Sequence, residues 1–307
     1  MAAQDNAGWG SVSGRAAFTI SLAEGLPIPV LVAVPHAGRD YSETLVQAMR
    51  DPACGPTRLE DRHADLLGRG VAEATGAGLV IAHAPRALID LNRAPDDIDW
   101  TMIAGGGPRR GAGHSVANRR ARSGLGLVPR RLAGSGEIWK RSLPMSELDR
   151  RIADVHRPYH RAIGDALERM RDRWGAALLI DLHSMPPLPH GEGASEGAEF
   201  VVGDRFGASS APMLSAHALR FLAAQSRRAA HNRPYSGGYA LDHHAAPRRA
   251  IHALQIEVCR SAYLDARLDQ PGPRLPAVVR TLAGLIRTLA QEVAALGAPD
   301  AYAQAAE

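Results

Sequence analysis

Short apolar runs that stop abruptly at polar, chemistry-bearing residues limit what this chain can fold into. Ala176-Ala177-Leu178-Leu179-Ile180 leads directly into Asp181-Leu182-His183-Ser184. Ile28-Pro29-Val30-Leu31-Val32-Ala33-Val34 leads into Pro35-His36-Ala37-Gly38, and Leu88-Ile89-Asp90-Leu91-Asn92-Arg93 follows another apolar segment. Such runs read as buried strands. In a strand, Asp181 and His183 lie on the same side of the pleat, because side chains alternate. Further strands are predicted at 79–82, 200–202 and 251–258. The last puts Ile251, Ala253, Gln255 and Glu257 on one face. Between them the chain reads as helix near 42–50, 60–75, 146–173, 211–228 and 274–296. In the third of these, Leu148, Ile152, Val155, Tyr159 and Ile163 recur at helical spacing. Alternating strands and helices predict an α/β fold, a three-layer α/β/α sandwich with a mixed sheet, as one domain over 1–307. In open α/β sheets, sites are built at strand ends.

Composition narrows the chemistry. The 307 residues are 45% hydrophobic and 22% charged, as in ordinary globular proteins. No apolar run approaches the ~18 residues of a membrane span, and the first residues lack the order of a signal peptide. The expected setting is the cytoplasm, with no membrane partner. The only two cysteines, Cys54 and Cys259, exclude a disulfide framework and a thiolate metal cluster. Any metal must therefore be held by histidine and carboxylate. Net charge is +4, from 36 basic and 32 acidic residues. Between Trp100 and Glu137 no acid occurs, while Arg109, Arg110, Arg119, Arg120, Arg122, Arg130 and Arg131 do. This reads first as a Gly/Arg-rich surface loop over about 101–136. A loop attracting an anionic substrate, or RNA, is the sharper reading. The lack of interleaved aromatics weighs against nucleic acid.

His36 and His183 each follow a strand. One such histidine is commonplace; two with carboxylates nearby suit zinc, which takes imidazole nitrogens and a carboxylate and keeps a position for water. Asp181 is placed to orient one of those rings. The segment Glu60-Asp61-Arg62-His63-Ala64-Asp65, read as the start of a helix, puts Asp61 and Asp65 four apart on one face. The competing reading is an acidic first turn facing the helix dipole. Glu257 is an acid inside an apolar strand, so it requires a partner or a function. As a general base it would take a proton from water and return it to a leaving amine; as a structural residue it would pair with Arg248, Arg249 or Arg260. Asn92-Arg93 supplies an amide and a guanidinium fork for an anionic substrate, with Arg86 nearby. The alternative is an ion pair of these arginines with Asp90, Asp96 or Asp97. Pro234-Tyr235-Ser236-Gly237-Gly238-Tyr239 is a turn whose glycines allow backbone to approach a ligand. It lacks the lysine and spacing of a phosphate loop.

As a set, several motifs resemble the N-formylglutamate amidohydrolases. They are Val34-Pro35-His36-Ala37-Gly38, Ile89-Asp90-Leu91-Asn92-Arg93-Ala94-Pro95-Asp96-Asp97, Ser123-Gly124-Leu125-Gly126-Leu127-Val128-Pro129-Arg130, Arg157-Pro158-Tyr159-His160, Ile180-Asp181-Leu182-His183-Ser184 and His252-Ala253-Leu254-Gln255-Ile256-Glu257. They occur in family order from about residue 17 to 290. The family in turn is similar to zinc carboxypeptidases and aspartoacylase-like deacylases. The resemblance implies a zinc-exopeptidase-like fold, one Zn2+ (or another divalent ion) and hydrolysis of the formyl group of N-formyl-L-glutamate by a monomer or homodimer. It maps His36 and His183 onto metal ligands, Asn92 and Arg93 onto substrate binding, and Glu257 onto the base. Arg86 is assigned to the oxyanion and Arg249 to a second substrate carboxylate. Tyr235 and Gly238 are assigned to substrate contact, and Asp181 and His252 to support of the site. The chain departs from the carboxypeptidase pattern His-x-x-Glu, since Arg39 stands three residues after His36. Asp61 or Asp65 is expected to supply the missing carboxylate. Ala37 stands where deformylases of the family often carry serine. The rival readings are a related zinc deacylase or carboxypeptidase-like hydrolase with another N-acyl or peptide substrate, and a metal- or RNA-binding protein without catalysis.

Overall fold

A computed structural model describes residues 16–53, 55–107, 121, 123–132, 134, 136–189 and 197–298. Its contacts divide the chain into two compact units. The described parts of 20–34, 61–80 and 162–307 make the sheet-bearing unit; those of 1–19, 35–60 and 81–161 make the other.

The strands in chain order are β1 (Phe18–Ser21), β2 (Val30–Val34), β3 (Gly78–Ala82), β4 (Arg131–Leu132), β5 (Gly136–Glu137), β6 (Ala177–Met185), β7 (Phe200–Gly203), β8 (Ala229–His231) and β9 (Ile251–Cys259). Seven form one sheet in the order β1-β3-β2-β6-β9-β7-β8. β2, β6 and β9 run parallel, and β7 runs antiparallel to β9 and parallel to β8. The sheet is therefore mixed and the fold is α/β, as the alternating pattern predicts.

Helices cover both faces of the sheet-bearing unit. A Cβ at Gly68, in the Ala64–Thr75 helix, would lie 2.7 Å from Val34 and 4.0 Å from Leu182. That helix thus packs on the side to which Leu178, Ile180 and Leu182 point. A Cβ at Gly78 would lie 2.8 Å from Met170 of the Arg157–Trp174 helix and 2.9 Å from Leu31, on the opposite face. Asp181 and His183 belong to this second face by alternation. The Leu275–Gly297 helix packs against the Ala64–Thr75 and Pro212–Ala224 helices and against β6. Among the described residues no helix is long and apolar enough to cross a membrane.

Two expectations are corrected. The helix read from Glu60 begins at Ala64, because His63 turns left-handed (φ 56°) and serves as its N-cap. Asp61 and Asp65 are therefore not on one helical face. β6 does not stop at Ile180 but continues to Met185, so the Asp-Leu-His-Ser motif lies within the strand. β1, β8 and the Tyr239–His244 helix are additions; each is short and lacks the periodicity that marks longer elements.

In the other unit the segment from Met145 is an α-helix to Arg151, a π-helical turn over Ile152–His156, and an α-helix from Arg157 onward. All five apolar residues of its predicted stripe are buried. β4 and β5 form an antiparallel hairpin within the basic stretch. Arg130 there bonds Asp99 at 2.6 Å and also pairs with Glu137. Arg109, Arg110, Arg119, Arg120 and Arg122 lie outside the described residues.

Candidate active site

In the sheet-bearing unit, β6 and β9 align Asp181 with Gln255 and His183 with Glu257. Paired residues of neighbouring strands face the same way, so these four form a polar patch on one face of an otherwise apolar sheet. All are buried. Gln255 Nε2 donates to Glu257 Oε1 at 2.9 Å. His183 stands between two carboxylates, with Nε2 2.8 Å from Asp181 Oδ2 and Nδ1 3.0 Å from Asp61 Oδ2. Burial by itself would lower the imidazole's pKa. The charge and hydrogen bond of Asp181, with Asp61 and Glu257, override it and hold the pKa well above 6.5.

Asp61 sits in the turn before the Ala64–Thr75 helix. Its Oδ1 is held by Ser184 Oγ at 3.3 Å and by Arg260 Nη2 at 3.5 Å, and Arg260 Nε donates to Ser184 Oγ at 3.1 Å. β7 places Gly203 opposite Gln255 on the same face. A Cβ at Gly203 would lie 2.7 Å from the backbone of Ser236, so the Tyr235–Gly238 turn passes directly over this strand. Only glycine at 203 permits that approach.

In the other unit, His36 Nε2 donates to Asp90 Oδ1 at 2.8 Å. Asp90 also accepts from the Asn92 backbone N–H at 2.8 Å and from Arg86 Nε at 2.9 Å. Its complete burial would raise its pKa, but Arg86, His36 and Arg93 hold it well below the usual carboxylate range. Arg93 donates through Nε to the Leu125 carbonyl at 2.9 Å and through Nη1 to the Asn92 carbonyl at 2.7 Å, which fixes its guanidinium plane.

His36 follows β2 by two residues. His36, in the one unit, and Asp61 and His183, in the other, are all buried and make up the candidate ligand group. The donor set fits a divalent cation: two imidazoles and a carboxylate, each imidazole backed by a second carboxylate, Asp90 or Asp181.

The remaining expected residues separate by position. Asp65 is not in this group; it lies in the first turn of the following helix. Arg86 makes the ion pair with Asp90 that competed with an oxyanion role. His252 is not brought to the polar patch. It stands five residues before Glu257 and so points to the opposite face, where its Nδ1 accepts from Ala211 N–H at 3.4 Å. Arg249 precedes β9, at the end of the strand away from Glu257. Its Nη2 donates to both carboxylate oxygens of Glu168, at 2.9 and 3.0 Å. Reasoning from the sequence took Arg260 only as an alternative partner for Glu257, took Ser184 and His160 only as parts of motifs, and did not name His156. The readable signal for the two histidines was polar residues four apart beside a buried helical stripe.

Known proteins resemble this chain over most of its length. The family described as N-formylglutamate amidohydrolase matches residues 28–264. The N-formylglutamate deformylase of Pseudomonas putida is 32% identical over 248 residues, covering 78% of this chain and 82% of that protein. The protein of the same name from Pseudomonas aeruginosa is 30% identical over 245 residues, covering 78% and 83%. The crystal structure of N-formylglutamate amidohydrolase from Ralstonia eutropha JMP134 superposes with a TM-score of 0.81 at 30% identity, over 91% of this chain and 99% of that one. With its match over most of its length and its conserved fold, the chain belongs to the N-formylglutamate amidohydrolase family.

Proposed function

We propose that this protein is a metal-dependent amidohydrolase that converts N-formyl-L-glutamate and water into formate and L-glutamate. The observation that carries the reading is His183 buried between two carboxylates, Asp61 and Asp181, beside Glu257. Zinc held by His36, Asp61 and His183 would supply Lewis acidity toward the formyl carbonyl and toward water. The chain's own residues do the rest. Glu257, side by side with His183, accepts the proton of the attacking water and returns it to the glutamate nitrogen as the C–N bond breaks. Asp90 and Asp181 hold the two imidazoles in the tautomers that ligation requires. Asn92 and Arg93 hold a substrate carboxylate, Arg86 keeps Asp90 ionised beside them, and the Tyr235–Gly238 turn closes over the substrate. The names of the relatives support the formyl group and glutamate as substrate parts.

The test is formate release, measured with metal content. Wild type is expected to carry about one divalent ion per chain and to lose activity to a chelator. Glu257→Gln should keep the ion and lose about 10²–10⁴ in kcat, the usual range for a general base. Asp61→Asn should lose the ion, and Asp65→Asn should keep it. Full activity in Glu257→Gln or in metal-free protein sinks the mechanism. A panel of N-acyl amino acids checks the formyl group.

A further inference from the structure

The long helix grips the segment that carries Asn92 and Arg93 at three carbonyls, through three buried side chains. Arg151 Nη1 donates to the Leu88 carbonyl at 2.7 Å, His156 Nε2 to the Arg93 carbonyl at 2.9 Å, and His160 Nε2 to the Leu91 carbonyl at 3.0 Å. All three donors are buried. A carbonyl only accepts, so both histidines carry their proton on Nε2. Their rings lie against each other with centroids 4.4 Å apart.

An ordinary helix would not present this row. Residues five apart are rotated by about 140° in an α-helix, so Arg151 and His156 would diverge. The π turn removes that divergence, because its i→i+5 hydrogen bonds stack residues five apart. Arg157 N–H indeed reaches back five residues to the Ile152 carbonyl. Pro158 explains why the wide turn sits here: it has no N–H for the Asp154 carbonyl, and its ring crowds that carbonyl in a regular helix. His160 follows at the normal spacing of four, and the row is complete. At the other end of the segment, Asp90 binds the Asn92 N–H and Arg93 binds the Asn92 carbonyl. The backbone of residues 91–93 is thus fastened from within.

We propose that His156 and His160 are positioning residues for substrate recognition. They fix the backbone beneath Asn92 and Arg93, so that the amide and guanidinium meet a substrate carboxylate already in place. The inference rests on the reading of Arg93 as a carboxylate ligand. Their action is on binding, so their loss should appear in KM while kcat is kept.

The experiment is a double-mutant cycle on formate release. His156→Leu and His160→Leu should each raise KM about tenfold, the size of one lost buried hydrogen bond, with kcat changed less than about threefold. His156→Gln and His160→Gln, which keep an N–H donor, should recover most of the loss. In an Arg93→Ala background the same leucine substitutions should add less than about twofold. Unchanged KM in the leucine variants overturns the proposal. So does an equal rise in both backgrounds, which marks a merely structural role. If the leucine variants do not fold, His→Asn, whose shorter amide misses the carbonyl, takes their place in the cycle. An Arg93→Ala protein with normal KM would instead overturn the carboxylate reading itself, separately from the histidines.

Discussion

Asp97 offers a sharp test of the electrostatics around the Asn92-Arg93 segment. Burial raises its carboxyl from 3.8 to about 6, against the opposing effects of the Ala121 N–H and of Arg93. The residue is 3% exposed, and its Oδ1 accepts from Ala121 N–H at 3.3 Å. Its pKa is higher folded than unfolded, so the folded state holds the proton more tightly. Stability falls as pH rises from 3.8 to about 6 and stays lower above that. A shift of this size corresponds to a ceiling of about 3 kcal/mol, and relaxation and water around the site reduce it to about 1–2 kcal/mol. Asp97→Asn keeps an acceptor for Ala121 and removes the charge. It should stabilise the protein by about 1–2 kcal/mol at pH 8, with the gain fading toward pH 4. Urea denaturation followed by circular dichroism, at both pH values and with chelator so that metal occupancy does not vary, measures this. An equal change at both pH values, or destabilisation that grows with pH, would refute the reasoning.

The remaining predictions concern packing and position. Gly38→Ala would put a Cβ 2.1 Å from the Ala84 carbonyl oxygen. Backbone must move two residues from His36, which should cost about 1–3 kcal/mol and lower Tm by several degrees; a melt indistinguishable from wild type would show that the site relaxes freely. Arg249→Ala removes an exposed pair with Glu168, worth at most about 1 kcal/mol. Its KM should stay within about twofold of wild type, and a tenfold rise would restore Arg249 as a substrate ligand.

The strands that carry chemistry were legible because their apolar runs are short and their polar residues break the run at fixed points. Asp181, His183 and Glu257 needed only the period of two and the rarity of buried acids. Asp181 was legible as a partner of His183, but which of Asp61 and Asp65 stands opposite it was not. The Glu60–Asp65 segment has a helical pattern, but His63 turns left-handed and leaves Asp61 outside the helix. Arg249 and His252 lie close to Glu257 in sequence, yet a nine-residue strand separates its ends by roughly 25–30 Å at 3.3 Å per residue and reverses face at every step. The π turn was hidden because the apolar stripe around it reads as one continuous helix, and its effect is on which polar residues align.

By itself the sequence determined the α/β fold, the strand and face on which His183 and Glu257 lie, and the family to which the chain belongs. These follow from local hydrophobic period and residue type, which survive without knowledge of what packs where. Only the tertiary structure decided that Asp61 rather than Asp65 bonds His183, that Arg249 and His252 stand apart from the His183–Glu257 pair, and that His156 and His160 brace the Asn92-Arg93 segment. Each of these depends on strand order, register or a single turn bringing residues distant in sequence within a few ångströms. The identities along one segment do not encode which distant segment will meet it.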